Sequence, residues 1–168
     1  CEFTINTVIS NCEFKNSGYI VLSKLGSEGL ICSNIVALGC LYGICCERTT
    51  GVQVVNSMID YCDNPVYFKG ATDVMLSNNY ITSRTKNPAI YINDYNGFSG
   101  YRYHIVNNDL KTNGDSSTCV LSIANAYHVK VSNNVIANFK TNAIEYYDGF
   151  ILSEINHNTI TARSGNDS

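Results

Sequence analysis

Charge is the first thing this sequence has little of. Only 15% of its 168 residues are Asp, Glu, Lys or Arg, and the net charge is -3. No basic face exists to attract nucleic acid or an anionic membrane over distance. Long apolar runs are missing as well: none approaches the roughly 20 residues needed to cross a bilayer, and no basic stretch followed by an apolar one opens the chain. Helical periodicity is the third absence. No stretch holds apolar residues at three-and-four spacing for three turns, which excludes an amphipathic helix. With no helix to precede, no glycine loop can cradle a phosphate at a helix N-terminus. What the chain does have is a 45% hydrophobic composition, enough for one domain over residues 1–168. It opens on Cys1 and reads like a strand by Phe3 to Ile5, so a piece of a longer polypeptide is expected.

The eight cysteines invite a disulfide framework of the kind that replaces a missing core in small secreted domains. Here the core is not missing. Cys32, Cys45, Cys46, Cys62 and Cys119 fall inside apolar strand-like runs, where a thiol packs as a small hydrophobe. Free buried thiols, formed in a reducing compartment, are the expectation. Adjacent Cys45 and Cys46 on a strand point to opposite faces, and no Cys-x-x-Cys pair completes a tetrahedral zinc site. His104, His128 and His157 fall at different points of the pattern described next. No metal and no cofactor are expected.

A repeat decides the fold. "VSNNVIANFKTNAI" at residues 131–144 has a degenerate copy, "ICSNIVALGCLYGI", at 31–44. An apolar residue two places after Thr, Asn or Ser recurs as Ile9, Val36, Ile59, Ile81, Leu110, Ile136 and Ile160. Five residues before the later ones stand Ile31, Val54, Leu76, Ile105, Val131 and Ile155. This is strand alternation. A second strand follows each anchor, as in "YIVL", "VYF", "AIYI" and "AIEYY", with Gly and Asn between, which tolerate left-handed bends. Each repeat is therefore read as two short strands and no helix. Stacking the repeats so that like strands pair in parallel predicts an all-β, single-stranded solenoid of about seven coils, each burying its apolar face on the next. Asn34, Asn79, Asn108, Asn134 and Asn158 would form an inward column that satisfies bend backbone groups.

Through "VMLSNNYI", "VKVSNNVI" and "LSEINHNTI" the chain resembles the right-handed parallel β-helix proteins of the pectate-lyase-like group, over nearly its whole length. Within that group the Asn-rich short coils, the abundant cysteine and the missing leader look most like phage tailspikes and their capsule-degrading relatives. That resemblance implies a homotrimer that binds, and often cleaves, bacterial capsule or O-antigen polysaccharide as an endo-glycosidase. It implies location on the virion after assembly in the host cytoplasm, with a secreted bacterial protein as the alternative. A non-catalytic glycan-recognition or structural segment of a spike, or a polysaccharide lyase, stays open beside the hydrolase.

In a filled solenoid, function must lie on outward strand faces. The second strands place Val21, Cys45, Tyr67, Tyr91, Ser122 and Glu145 in one outward row, with Ser23, Glu47, Lys69, Asn93, Ala124 and Tyr147 beside it. Tyr67, Tyr91 and Tyr147 are the candidate sugar-stacking platforms, flat rings with a polar hydroxyl. One position further come Lys24, Arg48, Gly70, Asp94, Asn125 and Asp148. Two coils apart, Asp94 and Asp148 could span the roughly 6.5 to 9.5 Å of an inverting acid–base pair, with Glu145 in reserve. The competing reading gives a strand-ending Asp a turn-capping role, and the outward tyrosines a packing role against another chain.

Overall fold

The computed structural model describes residues 5–93, 100–113, 119–147 and 153–163. Its described elements are all strands, and among those residues no helix is long and apolar enough to cross a membrane. Three parallel sheets run the length of a β-solenoid. The first stacks Val8–Ser10, Ile31–Ser33, Thr50–Val55, Thr72–Ser77, Gly100–Val106, Ala126–Ser132 and Glu154–Asn156. The second stacks Glu13–Lys15, Val36–Leu38, Met58–Cys62, Tyr80–Ser83, Asp109–Thr112, Val135–Ala137 and Thr159–Thr161. The third stacks Tyr19–Lys24, Tyr42–Glu47, Asn64–Lys69, Ile90–Asn93, Cys119–Ala124 and Asn142–Tyr147. Seven, seven and six strands amount to about seven coils, as the repeat predicts.

Each coil carries three strands rather than the expected two. The run read as one strand, such as "VMLSNNYI", is broken by a corner at its first Asn. Asn11, Asn34, Asn56, Asn78, Asn107, Asn133 and His157 all hold left-handed backbone, with φ between 52° and 57°. A single such residue turns the chain, and Asn tolerates that conformation better than most L-residues. The next residue faces inward, and from the third coil on it forms the polar ladder. Ile35 N–H donates to Ser57 Oγ at 3.1 Å, Ser57 N–H to Asn79 Oδ1 at 2.9 Å and Asn79 N–H to Asn108 Oδ1 at 3.0 Å. Asn108 N–H donates to Asn134 Oδ1 at 2.8 Å and Asn134 N–H to Asn158 Oδ1 at 2.9 Å. Asn34 is not in this ladder; it belongs to the outer, left-handed column.

The interior is built of apolar columns. Cys32, Val54, Leu76, Ile105 and Val131 stack in the first sheet, and Ala37, Ile59, Ile81, Leu110 and Ile136 in the second. All ten are fully buried. Burying an aliphatic side chain of this size contributes roughly 1.5 to 3 kcal/mol. The last coil shows the dependence of one coil on the next: Ile155 and Ile160, which continue these columns, are 45% and 50% exposed. In the two degenerate first coils the sequence reading slips. Ile9 lies in the first sheet, paired with Cys32, and Val36 pairs with Met58 on the outer face. Phe14 and Ala37 hold the inward positions of the second sheet. Ile31 likewise gives way to Cys32, because a one-residue slip exchanges the two faces. At Gly43 the next coil leaves no room for a side chain, since a Cβ there would lie 2.2 Å from the Pro65 carbonyl oxygen.

The seven described cysteines are free thiols. Burial pushes Cys32 up to about 12 and Cys46 well above the ordinary thiol range.

Candidate functional site

The outer face of the third sheet carries a groove of about 770 Å³ that runs from the first coil to the sixth. Its floor follows from strand alternation. With Val21, Ile44, Val66, Ile90, Leu121 and Ile144 turned inward in register, the residues next to them must face out. The outward row is Leu22, Cys45, Tyr67, Tyr91, Ser122 and Glu145, and the row beyond it is Lys24, Glu47, Lys69, Asn93, Ala124 and Tyr147. Five of six positions in each row match the sequence reading. Val21 and Ser23 do not: both are buried, and Leu22 and Lys24 take their places.

One rim is a loop at residues 84–89 that leads into Ile90–Asn93, and its polar side chains hold it down. Arg84 Nε donates to Asp63 Oδ1 at 2.5 Å, Thr85 Oγ1 to Asp63 O at 2.9 Å, and Asn87 Nδ2 to Asn64 Oδ1 at 2.9 Å. Lys86, Asn87 and Pro88 thereby line the groove.

The three tyrosines named from sequence all line it. Tyr67 and Tyr91 have ring centroids 5.6 Å apart and planes at 45°, so each leaves part of a face open. The Tyr91 hydroxyl accepts a hydrogen bond from Asn93 Nδ2 at 3.1 Å. Two more rings, Tyr19 and Tyr42, were missed because they share the inward parity of Val21 and Ile44. They stack at 4.4 Å with planes 3° apart, covering each other's faces.

Glu145 is the best-defined polar group. It accepts from Asn142 Nδ2 and from the Tyr147 hydroxyl, each at 2.8 Å. The Asn142 amide is the largest influence and holds the carboxyl below its usual range; partial burial opposes this, and bonds from Tyr147 and Cys119 lower it further. The same contact pushes Tyr147 up, since the phenol must stay protonated to donate. Glu145 thus stays ionised to a lower pH than an ordinary glutamate, and the ionised form is the state a base, a nucleophile or a sugar-hydroxyl acceptor needs.

Asp94 and Asp148 lie outside the described residues. The described strand-ending positions are Leu25, Arg48, Gly70 and Asn125, all left-handed, with φ from 52° to 62°; Lys24 sits one position earlier, beside Glu47. Glu47 and Glu145 are the carboxylates lining the groove among the described residues. They are four coils apart, roughly 19 Å at ~4.8 Å per coil, beyond the roughly 5 to 9.5 Å of either glycosidase geometry. Cys45 does not supply a nucleophile, because burial first and Glu47 second push its thiol up to about 11. Among the described residues no three His, Cys, Asp or Glu side chains gather to hold a metal. His104 lies beside Met75 and Lys130 on the first sheet, His128 stacks on Tyr101, and His157 sits at a corner.

Parallel coils filled by apolar columns, cornered by asparagine and open to solvent along one grooved sheet, define a β-solenoid with a surface site. The chain matches the family model described as "Right handed beta helix region" over residues 2–166, and it belongs to that family. Nothing among curated proteins and nothing among solved structures matches it.

Proposed function

We propose that the third-sheet groove binds an extended bacterial surface polysaccharide, and that the chain is part of a tailspike-type depolymerase that cleaves it. The observation that carries this reading is the ~770 Å³ groove with Tyr67, Tyr91, Tyr147 and the ionised Glu145 on its floor. Tyrosine faces suit the apolar faces of sugar rings, and a carboxylate with amide neighbours suits their hydroxyls. Membership of the right-handed β-helix family fits proteins that bind or act on polysaccharide in general.

Cleavage is the finer part of the proposal. Glu145 would serve as the base or nucleophile, and Asp94 and Asp148 are the candidates for its acid partner. The homotrimer, the phage-tail location and the capsule or O-antigen target belong to the same proposal, and they rest on the resemblance of the repeats. Incubating the protein with a panel of bacterial capsule and O-antigen polysaccharides, then sizing the products, tests it. Shortened chains without a new unsaturated chromophore are the result expected of a hydrolase. Binding without shortening would reduce the function to recognition, and neither binding nor shortening across the panel would overturn it.

A further inference from the structure

Two thiols stand one above the other at the corner between the second and third sheets. Cys40 and Cys62 each follow a left-handed residue, Gly39 at φ 65° and Tyr61 at φ 55°. Each points its sulfur at the carbonyl two residues back, Leu38 O at 3.4 Å and Asp60 O at 3.5 Å. Leu38 pairs with Asp60 before the corner and Tyr42 with Asn64 after it, and Asp63 N–H donates to Cys40 O at 2.9 Å. Cys62 therefore repeats Cys40 one coil further on, in the same backbone conformation. Both side chains are fully buried, and the Cys40 side chain is close enough to influence the Cys62 thiol. Among the described cysteines no other two occupy one column in adjacent coils.

The geometry points to a covalent modification site: Cys40 and Cys62 close into a coil-to-coil disulfide when the folded protein meets a small-molecule disulfide oxidant. Neighbouring parallel strands are ~4.8 Å apart, inside the roughly 4.4 to 6.8 Å between the Cα atoms of disulfide-bonded residues. The sulfurs need only swing from their carbonyls toward each other. In the reaction one cysteine thiolate attacks the oxidant RSSR and expels RS⁻, leaving a mixed disulfide. The second cysteine displaces the other RS⁻, and the two thiol protons leave on two RSH molecules. Burial pushes the Cys62 thiol up to about 12, so thiolate is scarce near neutral pH. Closure waits on opening of the corner and quickens as pH rises.

The consequence reaches the groove, because the corner leads directly into Tyr42–Glu47 and Asn64–Lys69, which carry Tyr42 and Tyr67. Tying these strands removes chain entropy from the unfolded state over a loop of roughly 20 residues. The column itself shows how to test the bond, since serine is native one coil to either side, as Ser17 and Ser83. Cys40→Ser and Cys62→Ser should therefore fold.

The experiment incubates folded protein with oxidised glutathione at pH 8.5 and reads intact mass, a non-reducing peptide map and thermal unfolding. Loss of two hydrogens, a mapped Cys40–Cys62 link and a Tm raised by roughly 5 to 10 °C, all abolished in either Ser variant and retained in Cys45→Ser, are expected. A different cysteine pair, stable glutathione adducts at these two positions, or unchanged mass in protein that remains folded would overturn the proposal. The wild-type peptide map decides the matter even if a variant fails to fold. Polysaccharide binding plays no part in the readout, so this outcome is independent of the function proposed above.

Discussion

At the corner between the first and second sheets, Asn78, Asn107 and Asn133 are exposed in left-handed backbone, while Asn79, Asn108 and Asn134, each next in sequence, are 1–3% exposed and face the interior. The outer column uses asparagine for a backbone conformation, and its side chain is replaceable. The inner column uses asparagine for its amide, and the backbone there is ordinary. Asn108 shows the second role: its oxygen accepts from the Asn79 amide and backbone N–H, while its nitrogen donates to Leu76 O and to Asn134 Oδ1, each at 3.0 Å. One residue type thus supports the rod by two mechanisms, and substitution separates them.

Asn108→Ala should have the largest effect. It strands several buried groups of the ladder at once, each worth roughly 1 to 3 kcal/mol, so a loss of about 3 kcal/mol or more is expected in urea unfolding. A loss under about 1 kcal/mol would mean that water replaces the ladder readily. Asn107→Ala should cost less, about 1 kcal/mol, the penalty of left-handed backbone for an ordinary L-residue. Glycine sharpens the comparison. Asn107→Gly should restore stability to within about 0.5 kcal/mol of the parent, whereas Asn108→Gly should be at least as damaging as Asn108→Ala. Equal responses to glycine at the two positions would erase the distinction.

The smallest effect concerns charge. A carboxylate held low in the folded protein favours folding above its unfolded value and loses that contribution as pH falls through its folded value. For Glu145 the window therefore lies below 4.5. Polysaccharide binding that depends on the ionised group should hold from neutral pH down and fall only at a more acidic pH than an ordinary glutamate would give. Glu145→Gln should remove the acid limb; an unchanged limb in that variant would assign it to another group.

The two asparagine columns also explain what could be read in advance. From the third coil on, Ile59, Ile81, Leu110 and Ile136 are the inward residues the repeat identifies, because strong β-branched or leucine side chains mark the buried parity. In the first two coils the inward places are held by Phe14, Cys32 and Ala37 next to apolar but outward Ile31 and Val36, so hydrophobicity no longer distinguishes the faces. Asn34 was assigned to the ladder for the same reason: nothing in a single Asn tells whether its amide or its backbone is needed. At the groove, Tyr67, Tyr91, Tyr147 and Glu145 were legible because they follow the alternation of well-marked strands. Tyr19, Tyr42 and the Lys86–Pro88 rim were not: the two rings share the inward parity of Val21 and Ile44, so alternation points them inside, and a loop carries the rim, where alternation says nothing. Asn142, three residues before Glu145, gives no periodic signal for its hold on that carboxylate.

The central claim is that the third-sheet face binds glycan, and the first sheet supplies its control. Tyr101 and Tyr127 stack there at 5.3 Å with planes 22° apart, Tyr101 exposed and Tyr127 half-buried, an aromatic pair that does not line the groove. The measurement is the dissociation constant, by titration calorimetry, of a polysaccharide found by screening bacterial capsule and O-antigen preparations. It is made on the parent, on Tyr67→Ala with Tyr91→Ala, and on Tyr101→Ala with Tyr127→Ala. Loss of two stacking platforms should weaken binding at least about fivefold, given roughly 0.5 to 1.5 kcal/mol per aromatic contact beyond its buried area, while the control pair leaves it unchanged. Equal weakening by both pairs, or no effect of the groove pair, would contradict the account.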